Sequence, residues 1–472
     1  MRRLTFILAL LSCVAAFAGT TYPLIQSDTP LSLDSLIAIG NQNNPAVRQA
    51  GFDKDLNRIG NLAAIGNFLP QVTLGASFSE NHFENPTYIN SDGSVSTYPT
   101  TIISSELAIN DSGNVYQRVD TLAVGIPEGK TRSSSYDISA SLSLFEGGRR
   151  IFLYKYARNQ AKINELSLLD AQKTLARNIA QQVVSVLSTQ KLLELNKKLR
   201  DQRKDAYDLA KARFDVGAVT ELDVLQAEIE LGSAENSIRS TERDLQAQRE
   251  ALNQLLGIDL KSRYPIAEAT DITPYQFDVE HLIESAHQYR TDLEIAMRQI
   301  DQTKYNLKAS RADYLPRLTI GATRSRSEQS GAGESFTLNP RNKNTSYWLS
   351  ANWNIFDGFT REYNIATQKV ARNRALENER DLRLSIEKSV RDAYSNLATV
   401  FDQMQTTERN RDLAERTLNL ERERYRLGAT SALALRDAQV TYAQAETDHL
   451  SKQLEYQSTL IALELAVGQT LR

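Results

Sequence analysis

Apolar and polar residues alternate in four short stretches of the chain, near residues 70–79, 135–145, 316–324 and 346–356. In the first stretch, Val72, Leu74 and Ala76 lie at every second position, with polar or small residues between them. A period of two over about ten residues predicts a β-strand with one apolar face and is typical of strands that cross an outer membrane. A half-buried strand of a soluble sandwich alternates in the same way, so the pattern leaves both interpretations open.

Two long stretches without proline predict helical hairpins over residues 149–256 and 360–467. In the second stretch, Ile386, Val390 and Ala393 begin a series of apolar residues that recur alternately four and three positions apart. This heptad spacing is typical of helices that pack along a seam. Charged residues fill the intervening positions, as expected for solvated helix faces.

A single glycine separates the two helices of each predicted hairpin. Gly217 and Gly428 each follow basic and apolar residues, and each is followed within three residues by a hydroxyl residue, Thr220 or Ser431. Glycine is common just after a helix ends, and Ser or Thr is common where the next helix begins. We therefore predict a tight turn at each tip, with Thr220 and Ser431 as the N-caps of the returning helices.

The chain contains an internal duplication. Phe68–Ser77 resembles Tyr314–Thr323, 246 positions later, and Ser135–Gly147 resembles Ser346–Gly358, 211 positions later. The first copy therefore carries 35 extra residues between these segments, which could form a longer surface loop, a plug or a recognition target. We predict a first repeat, a linker and a second repeat over residues 19–260, 261–278 and 279–472. Each repeat begins with a shorter helix, near Leu33–Phe68 (interrupted at Pro45) and Val279–Tyr314.

Residues 1–18 have the three parts of an export signal. Arg2 and Arg3 precede an apolar run that ends in Ala16–Phe17–Ala18, a small-x-small cleavage pattern. Lipoprotein processing at Cys13 is the alternative. Cys13 is the only cysteine, so we expect a mature chain that begins near residue 19 to have no disulfide, no thiol nucleophile and no cysteine metal site.

Composition and motifs argue against several classes of function. The formal net charge is −3, which does not indicate a nucleic-acid partner. The four histidines are scattered, and no zinc-protease, nucleophile-elbow or phosphate-loop motif occurs in the sequence. We therefore predict no enzyme activity, no cofactor and no metal site.

The predicted strands are too few to close a membrane barrel, which needs at least about eight. An open sheet edge cannot lie in lipid, because its backbone N–H and C=O groups would have no hydrogen-bond partners. If these strands span a membrane, several copies of the chain must share one barrel. The alternative, an exported structural or adhesive coiled-coil protein without a channel, leaves the four alternating stretches unexplained.

The tips Arg213–Ala218 and Arg424–Ala429 share the pattern R-F/Y-x-x-G-A. Together with the export signal and the duplicated order of helix, two strands and hairpin, they resemble the TolC family of outer-membrane channel proteins. The resemblance implies an α + β membrane protein that forms a trimer. Its twelve strands, four per chain, would form one β-barrel in the outer membrane, and twelve helices would continue the barrel as a coiled-coil tunnel through the periplasm.

The resemblance also implies the function and the partners. The function would be that of a passive duct in a tripartite efflux pump or a type I secretion system of a Gram-negative-type bacterium. The implied partners are two further copies of the chain, a periplasmic adaptor protein, an inner-membrane transporter of the RND or ABC type, and outer-membrane lipid.

In the TolC family, polar contacts between the hairpins and rings of acidic residues close the periplasmic end. The gate tyrosine of the family falls on Tyr425 and its aspartate partner on Asp223, whereas the gate arginine falls on Thr430. Of the two ring aspartates, one falls on Ala434 and is missing, and the other falls on Asp437. The resemblance therefore implies a gate built on Asp223, Tyr425 and Asp437, without the ionic latch of the family.

Two of these residues also have simpler explanations. Asp437 could be an ordinary solvated helix residue, and Asp223 could serve only as a helix cap or a partner of the helix dipole. A gate without the family's arginine would be held more weakly, or by other residues such as Arg436.

The resemblance places the adaptor-docking surface at the tips of the hairpins. Here that surface consists of small and apolar residues, namely Val216, Gly217, Ala218, Leu427, Gly428 and Ala429. Glycine and alanine let a partner's helices approach the backbone closely, although both glycines are also expected to be helix caps.

Overall fold

The computed structural model describes residues 22–83, 87–89, 91–92, 94–97, 99–125, 129–267, 277–330, 340–469 and 471. The predicted signal peptide with Cys13, and residues 268–276 of the predicted linker, lie outside these ranges. The described residues form two compact units. A helical unit is drawn from Met1–Gly60, Arg158–Lys304 and Val370–Arg472, and a strand unit from Asn61–Ala157 and Tyr305–Lys369.

The strands are β1 Gln71–Phe83, β2 Thr87–Ile89, β3 Val95–Thr97, β4 Pro99–Ile109, β5 Val115–Gly125, β6 Gly129–Glu146, β7 Arg317–Ser330 and β8 Asn342–Asn352. Four of them form one antiparallel sheet in the order β1-β6-β7-β8. These are the four strands that the alternation predicts. As far as the structure describes this sheet, its two edge strands have a neighbour on one side only, so one chain forms an open sheet.

The last strand of the sheet ends earlier than predicted. The alternation predicts a strand near residues 346–356, but β8 ends at Asn352. Beyond it, the indole nitrogen of Trp353 donates a hydrogen bond to the carbonyl of Tyr314 (3.1 Å), and the guanidinium of Arg361 donates to the carbonyl of Asn354 (3.1 Å). The carbonyl of Asn354 therefore has a side-chain donor and not a neighbouring strand as its hydrogen-bond partner. The apolar–polar alternation in the sequence runs past the last strand pair, Arg317 with Asn352.

The extra residues of the first repeat form two further antiparallel pairs, β2 with β3 and β4 with β5. A tight turn joins β4 to β5. Its Asn110 side chain accepts hydrogen bonds from the backbone N–H groups of Ser112 (3.1 Å) and Asn114 (2.9 Å), and Gly113 has a φ of 79°. The sequence interpretation did not predict these strands, because they lie among the extra residues of the first repeat, which have no matching segment in the sequence of the second repeat.

The helices are α1 Leu33–Asn43, α2 Pro45–Gly66, α3 Arg149–Asp215, α4 Glu221–Leu256, α5 Val279–Tyr289, α6 Thr291–Arg311, α7 Thr360–Arg426 and α8 Ala432–Val467. The long hairpins are α3 with α4, which we call hairpin 1, and α7 with α8, which we call hairpin 2. Among the described helices, none combines the length and the apolarity needed to cross a membrane.

The helix predicted over Val279–Tyr314 is wrong as a single element. It divides into α5, α6 and a short 3-10 turn, with a break at Arg290. No proline causes this break. Instead, the guanidinium of Arg290 donates to the carboxylate of Asp292 (2.6 Å) and to the carbonyl of Ala466 (3.1 Å). In the first repeat, the break between α1 and α2 comes directly before Pro45, as predicted.

Each repeat buries a core of aliphatic residues in the helical unit, and the two cores are equivalent. Pairs of buried residues separated by the repeat offsets occupy the two cores, namely Leu36 and Leu282, Leu175 and Ile386, Ile179 and Val390, Leu252 and Leu463, and Leu256 and Val467. The heptad residues Ile386 and Val390 are fully or almost fully buried. The duplicated sequence therefore builds the same helix packing twice.

Candidate functional site at the hairpin seam

Both tips have the predicted caps. Gly217 (φ 74°) and Gly428 (φ 72°) adopt the left-handed conformation that terminates α3 and α7. The side-chain oxygens of Thr220 and Ser431 each accept a hydrogen bond from a backbone N–H group in the first turn of the returning helix. A Cβ added to either glycine would meet nothing within 4 Å, so backbone conformation rather than local crowding requires glycine.

The predicted docking residues form two exposed tips. Val216 is 78% exposed and Leu427 is 74% exposed, and Ala218 and Ala429 are exposed as well. Apolar side chains this exposed fit a surface that a partner covers. The docking role stays a prediction.

Asp223 caps a helix. Its carboxylate accepts hydrogen bonds from the backbone N–H (2.9 Å) and the hydroxyl (2.7 Å) of Thr220, and it completes a reciprocal capping box. The Thr220 hydroxyl first, and then its N–H, hold the pKa of Asp223 below its ordinary value. Among the described hydrogen bonds, none joins Asp223 to Tyr425. The described contacts of Asp223 are therefore those of a helix cap, and its role in a gate stays a prediction.

Tyr425 is a buried residue that joins the two hairpins. The guanidinium of Arg213, on α3, lies 4.3 Å from the centroid of the Tyr425 ring and also donates to the Tyr425 carbonyl (3.2 Å). Guanidinium groups over aromatic faces attract the ring quadrupole. Tyr425 packs with Leu418 and Leu435 in a buried cluster inside the tip of hairpin 2. The predicted gate tyrosine thus contacts a cation of hairpin 1.

A carboxylate of hairpin 1 lies between two guanidinium groups further from the tips. Glu230, on α4, contacts Arg203 of α3 through Oε2 (2.6 Å) and Arg436 of α8 through Oε1 (3.4 Å). Arg203 also donates to the side-chain oxygen of the buried Gln439 (2.7 Å). We call Arg203, Glu230, Arg436 and Gln439 the polar node. The Arg436 suggested by the sequence is part of it.

A third contact lies further along α3. The ammonium of Lys198 is 3.4 Å from the hydroxyl of Tyr442 and 5.9 Å from the centroid of its ring. Lys198, Arg203 and Arg213 therefore all reach from α3 to hairpin 2, over roughly 22 Å of helix at 1.5 Å per residue. We call the contacts of these three side chains with hairpin 2, together with the polar node, the hairpin seam.

Two of the three predicted gate residues and three of the four residues of the polar node line one cavity. A cavity of about 130 Å³ is lined by residues of both hairpins, among them Asp223, Glu230, Tyr425, Arg436 and Gln439. Asp437 is not among its lining residues. Its side chain is exposed on α8, and its roles as a ring carboxylate or as a solvated residue stay open.

Sequence reasoning missed Lys198, Arg203, Glu230 and Gln439. Each is an unremarkable polar residue of a helix, and Arg203 and Gln439 are 236 positions apart. Within the described residues, no group of three or more histidine, cysteine or acidic side chains is arranged to hold a metal ion.

The fold and the seam agree with the class of protein that the sequence predicts. An open antiparallel sheet and two helical hairpins joined near their tips are the parts expected of one subunit of an outer-membrane channel.

Comparison with known proteins names the family. Residues 36–258 and 282–469 match the sequence profile of the outer membrane efflux protein family. The pyoverdine export outer membrane protein OpmQ of Pseudomonas aeruginosa is 21% identical over 357 residues, which cover 74% of this chain and 70% of OpmQ. The toluene efflux pump outer membrane protein TtgF of Pseudomonas putida is 24% identical over 347 residues, which cover 71% of this chain and 69% of TtgF.

Solved structures show the same fold. The outer membrane protein VceC of Vibrio cholerae superposes with a TM-score of 0.71 at 16% identity, over 93% of this chain and 97% of VceC. The CmeC outer membrane channel of Campylobacter jejuni superposes with a TM-score of 0.71 at 16% identity, over 92% and 85% of the two chains. The chain belongs to the outer membrane efflux protein family, and its location is the outer membrane, with the helical part in the periplasm. The predicted fold class and channel function are confirmed.

Proposed function

We propose that three copies of this chain form one passive duct, and that a periplasmic adaptor and an inner-membrane transporter of the RND or ABC type recruit and open it. The observation that carries this proposal is the open four-stranded sheet. Its apolar side chains Leu74 and Leu349 are 81% and 67% exposed in the single chain. Lipid tolerates such strands only when neighbouring copies complete the sheet.

The hairpin seam supports a closed resting state of the duct. Its contacts join hairpin 1 to hairpin 2 next to the exposed tips, where we expect the adaptor to dock. Docking at the tips would part the hairpins at these contacts. The proposal includes no catalytic step and no cofactor.

The names of the relatives support small molecules as the cargo. OpmQ is named for pyoverdine export and TtgF for toluene efflux. We therefore favour an efflux pump over a type I secretion system for this chain. Deletion of its gene should raise intracellular retention of small toxic compounds and leave the set of secreted proteins unchanged. The opposite result would support protein secretion.

Gel mobility and crosslinking of purified outer membranes test the assembly. We expect a heat-sensitive species near three times the chain mass of 52.9 kDa, found only in that fraction. A soluble monomer or dimer in the periplasm would contradict the proposal and support an exported coiled-coil protein.

A further inference from the structure

We propose that Glu230 is the residue that holds the periplasmic end of the duct closed, because its carboxylate neutralises two guanidinium groups that belong to different hairpins. This inference rests on the proposed function and identifies the contacts that regulate the duct.

The two oxygens of Glu230 have different partners. Oε2 contacts Arg203 of the same hairpin, whereas Oε1 contacts Arg436 of hairpin 2. Because Glu230 itself belongs to hairpin 1, its contact with Arg436 is the one that links the hairpins. The hydrogen bond from Arg203 holds the carboxylate in place, and hydrogen bonds between charged groups are stronger than those between neutral ones.

The carboxylate that makes this link is partly buried. The side chains of Arg203 and Glu230 are 15% and 27% exposed, so solvent and salt screen their charges less than on an open surface, whereas Arg436 is 43% exposed. The contacts of Lys198 and Arg213 with hairpin 2 involve uncharged partners, Tyr442 and Tyr425. Among the described contacts of the seam, the polar node alone joins opposite charges across the hairpins.

Loss of the Glu230 charge converts attraction into repulsion. Without the carboxylate, Arg203 and Arg436 would face each other across the seam as like charges. Loss of the Arg436 charge has a smaller consequence, since Arg203 and Glu230 remain paired within hairpin 1 and Arg203 still donates to Gln439. The node therefore predicts an order of effects, in which Glu230→Gln opens the duct more than Arg436→Gln.

The gate residues that the family resemblance implies, Asp223 and Tyr425, do not form an ionic link between the hairpins in the described contacts. Asp223 is engaged by Thr220 in its own helix cap. Tyr425 receives the guanidinium of Arg213 on its ring. Neither side chain has a described ionic contact with the opposite hairpin.

The experiment measures single-channel conductance of the purified trimer in planar lipid bilayers at low voltage. We expect a severalfold increase for Glu230→Gln and a smaller increase for Arg436→Gln. The double variant Arg203→Gln/Glu230→Gln should be less conductive than Glu230→Gln, because it removes one of the two opposed charges. Glu228→Gln is the matched control, since Glu228 is exposed on the same helix, and it should conduct like the unaltered trimer.

Each result decides between the two proposals. Trimers of Glu230→Gln that conduct like the unaltered protein would overturn the role of Glu230 and leave the duct proposal standing. An equal increase in conductance for Glu228→Gln would also overturn the role of Glu230, because the conductance would then depend on net charge and not on the Glu230 contacts. An unaltered protein that forms neither trimers nor channels would overturn the proposed function and this inference with it.

A second measurement, the distance between the two hairpin tips, tests the inference in variants that form too few trimers for conductance recordings. Spin labels on cysteines introduced at the exposed tips, Val216→Cys and Leu427→Cys, report the distance between the hairpins. Glu230→Gln should lengthen and broaden this distance in detergent-solubilised protein. An unchanged distance distribution would contradict the inference.

Discussion

At the residue scale, the two tips differ in how their returning helices are capped. Thr220 and Asp223 exchange hydrogen bonds in a reciprocal box, whereas Ser431 caps alone because the third residue of its helix is Ala434. The family resemblance assigns Asp223 to a gate, but its contacts are those of a cap.

Thr220→Ala should therefore destabilise its tip more than Ser431→Ala. Loss of an N-cap side chain costs about 0.5–2 kcal/mol. In α4 the carboxylate of Asp223 would also lose the hydroxyl, one of its two hydrogen-bond donors, and keep only the backbone N–H of residue 220. Amide hydrogen exchange at the two tips measures the difference. Equal losses of protection at the two tips would show that the Asp223 contacts do not add to the stability of the first tip.

The same cap predicts a dependence on pH. The pKa of Asp223 lies below its ordinary value of 3.8 in the folded chain, so its stabilisation is complete above that value and is lost as the pH falls through the folded pKa.

His449 predicts a second dependence on pH, inside hairpin 2. It is buried on α8, with its ring nitrogens next to Gln453 (2.9 Å) and Thr407 (3.5 Å). Burial first, and then the charge of Arg411, lower its pKa from the ordinary 6.5. A group that binds its proton less readily when folded makes the fold less stable as the pH falls below 6.5.

His449→Gln should remove this loss of stability at acid pH. Thermal unfolding of the trimer at pH 7.5 and at pH 5 measures it, and His281→Gln, at an exposed position of α5, is the control. An unchanged difference between the two pH values in His449→Gln would exclude His449 as its source.

At the scale of elements, the two repeats build equivalent packing. Leu252 of α4 and Leu463 of α8 are 1% and 0% exposed and lie 211 positions apart in matching cores. Truncation of a buried leucine to alanine costs about 2–5 kcal/mol, because it leaves a cavity.

We therefore expect Leu252→Ala and Leu463→Ala to destabilise the helical unit by similar amounts. Leu465→Ala, at a 43% exposed position of α8, should have a much smaller effect. Chemical denaturation followed by far-UV circular dichroism measures all three. Strongly unequal effects of the first two would mean that the repeats share a pattern but not a packing energy.

At the scale of the whole molecule, the exposed tips predict how the duct engages its partners. Gly217→Asp and Gly428→Asp place a charge and a side chain on the docking surface. These variants should leave trimers in the outer membrane and abolish export. Gly113→Asp is the matched control, because Gly113 also has a positive φ and open space around it but lies in the β4–β5 turn.

Normal export in the tip variants would reject docking at the tips. Loss of export in Gly113→Asp as well would trace the effect to backbone strain rather than to the docking surface.

Asp437 predicts ion selectivity in the assembled channel. One exposed carboxylate per chain, repeated around a threefold axis, would create a negative ring that favours cations. Asp437→Ala should reduce cation preference and block by multivalent cations in planar bilayers, whereas Asp448→Ala, on the same helix, should not. Unchanged selectivity would leave Asp437 as a solvated helix residue.

Much of this fold is readable from the sequence, because short-range periodicity encodes it. Alternation predicts the four strands of the sheet, heptad spacing predicts the buried residues Ile386 and Val390, and the duplication predicts that the cores are built twice. Gly217 and Gly428 mark the tips, since few residues tolerate a positive φ.

Only the tertiary structure decided the rest. The helix break at Arg290 and the early end of β8 are accompanied by side chains that donate to backbone carbonyls of other segments. The extra strand pairs depend on backbone pairing within an insertion that has no repeated pattern. The polar node depends on which helix faces meet, since its members lie on three helices and ordinary charged residues at such spacings are mostly solvated. A local pattern specifies which element a residue joins, whereas packing between elements specifies which charges face each other.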